Sequence, residues 1–216
     1  MDSHKRWRLL FVGRMDKLKG GQVLIEALPT IRSGVDRNIE LAFVGDGPDR
    51  NRWQRAAAKV ESESQGIHIE FKGWLEKSKV TLAYAESDLL VVPSVWPEPC
   101  GVVGVEAGLY GIPAVAFRVG GIPDWLHSGE NGFLAPGTPP TTAGLADAVV
   151  RALAPENYQR LCAGARKLAL GWTLERHCDE FDLLVKKVIH ASYTSAELVA
   201  NKTPAAIAED MERQAL

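Results

Sequence analysis

Residues 88–117 read DLLVVPSVWPEPCGVVGVEAGLYGIPAVAF, and they indicate the fold class most clearly. It begins with a short apolar run, Asp88–Pro93, and ends with another, Pro113–Phe117. The residues between them, Val102–Tyr110, have the apolar spacing of a helix. Strand, helix and strand in this order predict a βαβ unit, whose two strands lie parallel in one sheet.

Similar patterns alternate on either side of this unit. Further strands are predicted at Leu9–Val12, Ile39–Val44, Ile67–Phe71 and Gly132–Ala135. Strands that are apolar on both faces, each followed by a helix, are typical of a parallel sheet covered on both sides. We therefore predict an α/β fold with a Rossmann-like parallel sheet of about six strands and helices on both faces.

The strand patterns stop near Thr141, and helices follow. The predicted C-terminal helices are Leu145–Leu153, Tyr158–Leu170 and Leu174–Ile189. Near the N-terminus, Pro29 interrupts a helical pattern and should kink or end that helix. We predict one domain over residues 1–190 and a tail over residues 191–216 that is either helical or disordered.

Charge and cysteine content exclude several classes of protein. Among 216 residues, 25 Lys and Arg stand against 27 Asp and Glu, so the chain lacks the basic excess of a nucleic-acid binder. Three cysteines, an odd number without metal-ligand spacing, indicate a reducing compartment and a cytoplasmic protein. The longest apolar stretch, Val102–Phe117, is interrupted by Glu106 and Pro113 and is too short for a transmembrane segment.

In a parallel sheet of this kind, the ligand lies beyond the carboxyl ends of the strands. The residues after the first strand include Gly13, Arg14 and Lys19, which flank a predicted helix start. Free backbone amides at a helix start and basic side chains both favour an anion, and Arg with Lys would suit a diphosphate. Solvated surface charges are an equal alternative for this loop taken alone.

Two carboxylates follow the fourth strand. Glu98 lies in the loop, Gly101 at the predicted helix start, and Glu106 on a helix whose neighbours are apolar nearly all round. Such a helix should be buried, so Glu106 would need a backbone, basic or ligand partner, or would be a structural carboxylate. The arrangement suits a ligand with hydroxyls at both ends and phosphate between them, as in a nucleoside diphosphate sugar.

Two other features are less specific. Gly45–Pro48 has the composition of a tight turn, and Arg50 stands where a dinucleotide-binding fingerprint needs a third glycine, which disfavours an oxidoreductase. Trp74 and Trp96 lie near strand ends and could line a pocket, although single tryptophans more often belong to the core.

Several motifs together resemble the C-terminal, donor-binding domain of GT-B fold, family 4 (group 1) retaining glycosyltransferases. In chain order they are Gly13-Arg14 with Lys19-Gly20, Val44–Pro48, Glu98–Ala107 with its E-x7-E spacing, Gly111–Val115, Gly120–Asp124 and Glu130–Leu134. The resemblance covers about Trp7 to Ile189. It implies that residues 1–190 are a nucleotide-sugar-binding domain, one half of a GT-B fold.

The resemblance also implies a role for each matching residue. Arg14 and Lys19 would neutralise the donor's diphosphate, Glu98 would contact donor-sugar hydroxyls, and Glu106 would accept hydrogen bonds from the ribose. The expected donor-binding set is Gly13, Arg14, Lys19, Trp74, Leu75, Glu98, Cys100, Gly101, Val102, Val103 and Glu106, with Arg14, Lys19 and Glu98 as the catalytic members. Backbone amides of Cys100 to Val103 would hold phosphate and sugar oxygens, and the base would lie near Trp74 and Leu75.

The implied activity is transfer of a sugar from a nucleoside diphosphate sugar with retention of configuration, in carbohydrate biosynthesis. No cofactor and no metal are expected. The partners would be the donor and an N-terminal GT-B domain, in the same or a separate chain, through which peripheral membrane attachment could arise. Alone, the chain should bind donor but transfer poorly or not at all.

Two positions depart from the family pattern: Cys100 replaces the usual Phe, which puts the shape of the sugar pocket in doubt, and Asp124 replaces the usual Glu. The alternatives are a non-catalytic nucleotide-sugar-binding module and a GT-B relative such as a sugar-nucleotide epimerase.

Overall fold

The computed structural model describes residues 6–200, with side chains described to residue 190. The strands are β1 (Arg6–Val12), β2 (Asn38–Val44), β3 (Ile67–Gly73), β4 (Leu89–Val92), β5 (Ala114–Phe117) and β6 (Gly132–Ala135). The helices are α1 (Gly21–Gly34), α2 (Arg50–Glu63), α3 (Lys77–Ala85), α4 (Val103–Leu109), α5 (Thr142–Leu153), α6 (Pro155–Ala169) and α7 (Leu174–Ala200). One-turn 3-10 helices lie at Lys17–Lys19 and Ile122–Asp124.

The predicted sheet is confirmed. Six strands form one sheet in the order β3-β2-β1-β4-β5-β6, and every pair of neighbours is parallel. The strand order reverses between β1 and β4, so the connections after these two strands leave toward opposite faces of the sheet. This reversal opens a crevice at the carboxyl ends of β1 and β4, where sheets of this type bind ligands.

Each face of the sheet has its own hydrophobic core, because successive strand residues point to opposite sides. In β1, Leu9 and Phe11 belong to one core, which α1, α2 and α5 cover, and Leu10 belongs to the other, which α3 and α4 cover. In β4, Leu89 and Leu90 divide in the same way. Near-continuous apolar runs in the strands therefore have a structural cause: both faces are buried.

Of the two outcomes expected at Pro29, a kink or an end, the end is excluded, because α1 continues to Gly34. Leu28 and Ile31, on either side of the proline, are fully buried in the core. Their burial outweighs the loss of one backbone hydrogen bond at an exposed proline.

Contacts divide the described chain into two compact units, one up to Gly171 and one from Trp172 on. The second unit contains α7, which runs eleven residues beyond its predicted end at Ile189, to Ala200. Residues 191–200 of the predicted tail are therefore helical, and residues 201–216 lie outside the described residues. The domain end predicted at residue 190 stays a prediction.

Candidate functional site

Two adjoining cavities lie at the carboxyl edge of the sheet. The larger has a volume of about 1080 Å³ and extends over the ends of β1 to β3 toward α3 and α4. The smaller, of about 400 Å³, lies between the ends of β1 and β4. Val12, Gly13, Arg14 and Glu106 line both, so the two cavities form one cleft at the point where the strand order reverses. The combined space is large enough for an extended ligand.

The loop after β1 brings both predicted basic residues to this cleft. Arg14 lines both cavities, and its side chain is 70% exposed, with only a 3.5 Å contact from Nε to Asp16 Oδ2. Lys19 lines the smaller cavity. Asp16 Oδ1 accepts from the amides of Leu18 and Lys19 and so caps the 3-10 turn. Those two amides are therefore occupied, whereas the exposed Arg14 guanidinium is available to an anion.

Glu98 and Lys19 are paired with each other. Lys19 Nζ lies 2.6 Å from Glu98 Oε1 and 2.9 Å from Glu98 Oε2, and the hydroxyl of Ser94 donates to Oε1 over 2.5 Å. The Glu98 side chain is 11% exposed and Ser94 is 1% exposed. Two predicted catalytic groups thus form a charge-assisted pair in a poorly hydrated corner of the smaller cavity.

A second loop holds the backbone beside Glu98. The amide of Gly121 donates to the carbonyl oxygen of Glu98 over 2.7 Å, and Trp125 Nε1 donates to the carbonyl oxygen of Cys100. Gly120 has φ +54°, and a Cβ there would lie 2.2 Å from the same Glu98 carbonyl. The glycine pair after β5 therefore permits close approach to another loop of this chain.

The expectation that α4 is buried nearly all round was wrong: Gly104, Val105, Ala107 and Gly108 are buried, but Glu106 is not. Two glycines allow close packing on the buried side, where a Cβ on Gly104 would lie 2.1 Å from the Trp125 ring and one on Gly108 would lie 2.8 Å from Ala165 O. Glu106 and Leu109 are exposed toward the larger cavity. Small residues bury one side of this short helix and leave its apolar and acidic opposite side lining the cleft.

Glu106 has a partner that sequence reasoning missed. The hydroxyl of Tyr84, on α3, donates to Glu106 Oε2 over 3.0 Å. Burial of the Tyr84 ring, and then the Glu106 charge, raise the pKa of this phenol above its usual value. Tyr84 therefore stays protonated and acts as a hydrogen-bond donor.

Trp74 is not a core residue. It is 83% exposed and lines the larger cavity together with Leu75, at the end away from Glu98. Trp96 is also exposed, so of the two alternatives left open for these tryptophans the core position is excluded for both. Both tryptophans lie in loops after strands, beyond the part of each strand that the helices cover.

Of the predicted donor-binding residues, all but one line the cleft. Those present are Gly13, Arg14, Lys19, Trp74, Leu75, Glu98, Gly101, Val102, Val103 and Glu106. Cys100 lines neither cavity. Its side chain packs instead against the core on the α4 side of the sheet. The predicted roles of these residues stay predictions.

Other lining residues were not singled out from the sequence. Ser94 and Asp46 each lie shortly after the end of a strand, β4 and β2 respectively, and this position could have identified them as cleft residues. Asp46 accepts from the Gly47 amide and from Arg50, and the first of these bonds lowers the pKa of its carboxyl. No sequence pattern could have identified Tyr84, because it lies within α3 and reaches the cleft only through the way this helix packs.

Within residues 6–200, no group of three or more His, Cys, Asp or Glu side chains is placed to hold a metal ion. Over the same range, no helix is both long and apolar enough to cross a membrane.

A parallel sheet in this order, with charged side chains in a cleft where the order reverses, defines a Rossmann-like ligand-binding domain. The particular family follows from comparison with known proteins. The family model of the group 1 glycosyl transferases matches residues 6–155, and the chain belongs to this family. The resemblance seen in the motifs is confirmed.

Curated relatives agree with this assignment. The chain is 36% identical to a glycogen synthase of Thermus thermophilus over 132 residues, which is 58% of the chain and 27% of that protein. It is 34% identical to a phosphatidyl-myo-inositol mannosyltransferase of Mycobacterium leprae over 146 residues, 67% of the chain and 37% of that protein. The chain thus spans about a third of the length of these relatives.

Solved structures have the same fold. Sucrose-phosphate synthase from Thermosynechococcus elongatus superposes with a TM-score of 0.70 at 26% identity, over 88% of this chain and 47% of that one. The pneumococcal O-GlcNAc transferase GtfA, in complex with UDP and GlcNAc, gives 0.69 at 20% identity, over 87% and 37%. The C-terminal domain of a group 1 family glycosyl transferase (LpcC) from Francisella tularensis gives 0.65 at 20% identity, over 77% and 85%.

Proposed function

We propose that this chain is the donor-binding domain of a glycosyltransferase that takes a sugar from a nucleoside diphosphate sugar and transfers it with retention of configuration. The observation that carries the proposal is the single cleft that brings Arg14 together with two carboxylates: Arg14 and Glu106 line both cavities, and Glu98 lines the smaller one. Family membership supports it, as do two structural neighbours that were crystallised with UDP.

The lining chemistry fits the parts of such a donor in order. The larger cavity, with the exposed Trp74 and the half-buried Leu75 beyond the end of β3, would hold the base, and Glu106 would accept from the ribose hydroxyls. Arg14, which both cavities share, would meet the diphosphate. The smaller cavity would hold the sugar, with Glu98 against its hydroxyls and the amides of residues 100–103 near its oxygens.

The ion pair between Lys19 and Glu98 suits this order. An ammonium has three N–H groups, and Glu98 takes two of them, so a third is available for a phosphate oxygen. Lys19 would then contact both Glu98, beside the donor sugar, and the diphosphate of the donor. Positive charge beside the diphosphate would stabilise the leaving group as the glycosidic bond breaks.

Transfer also needs an acceptor site. We propose that an N-terminal GT-B domain, in the same or a separate chain, supplies it, and that this chain alone binds donor but transfers poorly. Efficient transfer by the purified chain would contradict that part of the proposal. The donor is expected to bind without a metal, so added EDTA should leave its affinity unchanged.

The test is a calorimetric titration with UDP, GDP, ADP and their common sugar conjugates. We expect saturable binding of one nucleotide, weakened at least about tenfold in Arg14→Ala and in Glu106→Ala, since each loses a charge-assisted contact. Matched controls are Arg55→Ala and Glu63→Ala, exposed residues of α2 that line neither cavity. A folded chain that binds none of the nucleotides, or equal losses in the controls, would refute the donor-site assignment.

A further inference from the structure

Tyr84 and Glu106 join the two helices that flank the larger cavity. Tyr84 comes from α3 and Glu106 from α4, and both line the cavity. The Tyr84 residue is 3% exposed, whereas Glu106 is exposed. The hydrogen bond from the phenol to Glu106 Oε2 therefore runs from a buried donor to an acceptor at the cavity surface.

Only one oxygen of the carboxylate is used. Tyr84 donates to Oε2, and Oε1 has no hydrogen-bond partner among residues 6–190. Since the phenol stays protonated, it always donates, and the carboxylate keeps its acceptor capacity on Oε1. A carboxylate held in this way can accept from a ligand hydroxyl without first being reoriented.

The donor is itself fixed in place. The ring of Tyr110, at the end of α4, lies parallel to the Tyr84 ring, with 5.8 Å between centroids and an interplanar angle of 12°. Because the Tyr84 ring is packed into the core that α3 and α4 cover, its hydroxyl has little freedom to move. A fixed donor reduces the ordering cost when a ligand binds.

We propose that Tyr84 is a positioning residue, which holds Glu106 so that its free oxygen accepts from the ribose diol of a nucleoside diphosphate. This inference rests on the proposed function. The competing explanation is that the bond only fastens α3 to α4, in which case the hydroxyl would affect stability and not the recognition of ribose.

The two explanations differ in one measurable quantity, the discrimination between ribose and a ribose without hydroxyls. The probes are UDP, GDP and ADP and their 2′,3′-dideoxy counterparts, titrated calorimetrically. In the unaltered chain, the nucleotide that binds should bind more tightly than its dideoxy form. In Tyr84→Phe the ratio of the two affinities, that for the nucleotide over that for its dideoxy form, should shrink about fivefold to tenfold. The affinity for the dideoxy form should change less than about twofold.

Tyr158→Phe is the matched control. Its hydroxyl donates to the carbonyl oxygen of Asp88, and Tyr158 lines neither cavity, so the ribose ratio should not change. Glu106→Ala completes a double-mutant cycle, because Tyr84→Phe should have no further effect on the ratio once the side chain that accepts its hydrogen bond is gone.

The outcomes separate the inference from the proposed function. An unchanged ratio in Tyr84→Phe, or equal weakening of both nucleotide forms, overturns the role of Tyr84 and leaves the donor site standing. Absence of any nucleotide binding by the unaltered, folded chain overturns both.

Discussion

At the residue scale, Lys19 and Glu98 form a short ion pair inside the cleft. Its two short contacts lie beside a Ser94 hydroxyl, and the carboxylate has little contact with water. Poor hydration makes both charges costly when they are separated and favourable when they are paired. Removal of one partner alone should therefore destabilise the fold more than removal of both charges.

Lys19→Met should lower the free energy of unfolding by about 2 kcal/mol, because it leaves Glu98 without a counter-charge. This is less than for a fully buried ion pair, because the Lys19 side chain is 34% exposed. Urea denaturation measures the change. Lys19→Met combined with Glu98→Gln should recover at least half of the loss, since a neutral amide needs no cation. If the double variant is less stable than Lys19→Met, the loss has another cause.

At the element scale, the loop between β1 and α1 is fastened to the end of β4. The amide of Val95 donates to the carbonyl oxygen of Leu18 over 2.9 Å, and Gly20 has φ +68°. A Cβ on Gly20 would lie 1.8 Å from the carbonyl oxygen of Pro93, so only glycine allows this approach. The contact places Lys19 within reach of Glu98, whose loop follows β4.

Gly20→Ala should therefore cost more than about 2 kcal/mol of unfolding free energy, since left-handed strain and a backbone clash add together. Gly129→Ala is the control, because Gly129 has φ +83° but its Cβ would meet only Arg160 Nη1, 3.9 Å away. The control should cost about 1–2 kcal/mol. Equal urea midpoints for the two variants would mean that the clash at Gly20 relaxes freely.

At the scale of the whole molecule, the two cores bury tyrosine side chains whose ionisation is therefore coupled to folding. Tyr84 lies in the core under α3 and α4, and Tyr158 packs against the core on the other face. Burial is the main cause that raises the pKa of each phenol above its usual value of about 10, followed by the charge of Glu106 at Tyr84 and by Cys162 and Asp88 at Tyr158.

The folded chain should therefore lose stability as the pH rises above about 10. Above that pH the unfolded phenols release protons that the folded ones keep, so the free energy of unfolding falls. Tyrosine absorbance and circular dichroism, followed together in an alkaline titration, should show that these two phenols ionise only as structure is lost. Ionisation of all four tyrosines near pH 10 in a chain that stays folded would contradict the expectation.

The sheet and much of the cleft lining could be predicted from the amino-acid sequence. Strands such as Leu89–Val92 are apolar on both faces, and Gly13, Arg14, Glu98 and Glu106 follow strands whose carboxyl ends meet at one edge. These properties depend on local periodicity and on a general rule of parallel sheets, so they can be predicted from one chain.

The side-chain pairs of the cleft and the buried face of α4 could not be predicted in this way, because they depend on tertiary packing. Tyr84 reaches Glu106 across 22 residues of sequence, and Lys19 reaches Glu98 across 79. Glu106 is exposed because Gly104 leaves room for the Trp125 ring on the opposite side of the helix. Side-chain pairing between distant elements depends on how those elements pack, and no periodicity in the sequence records it.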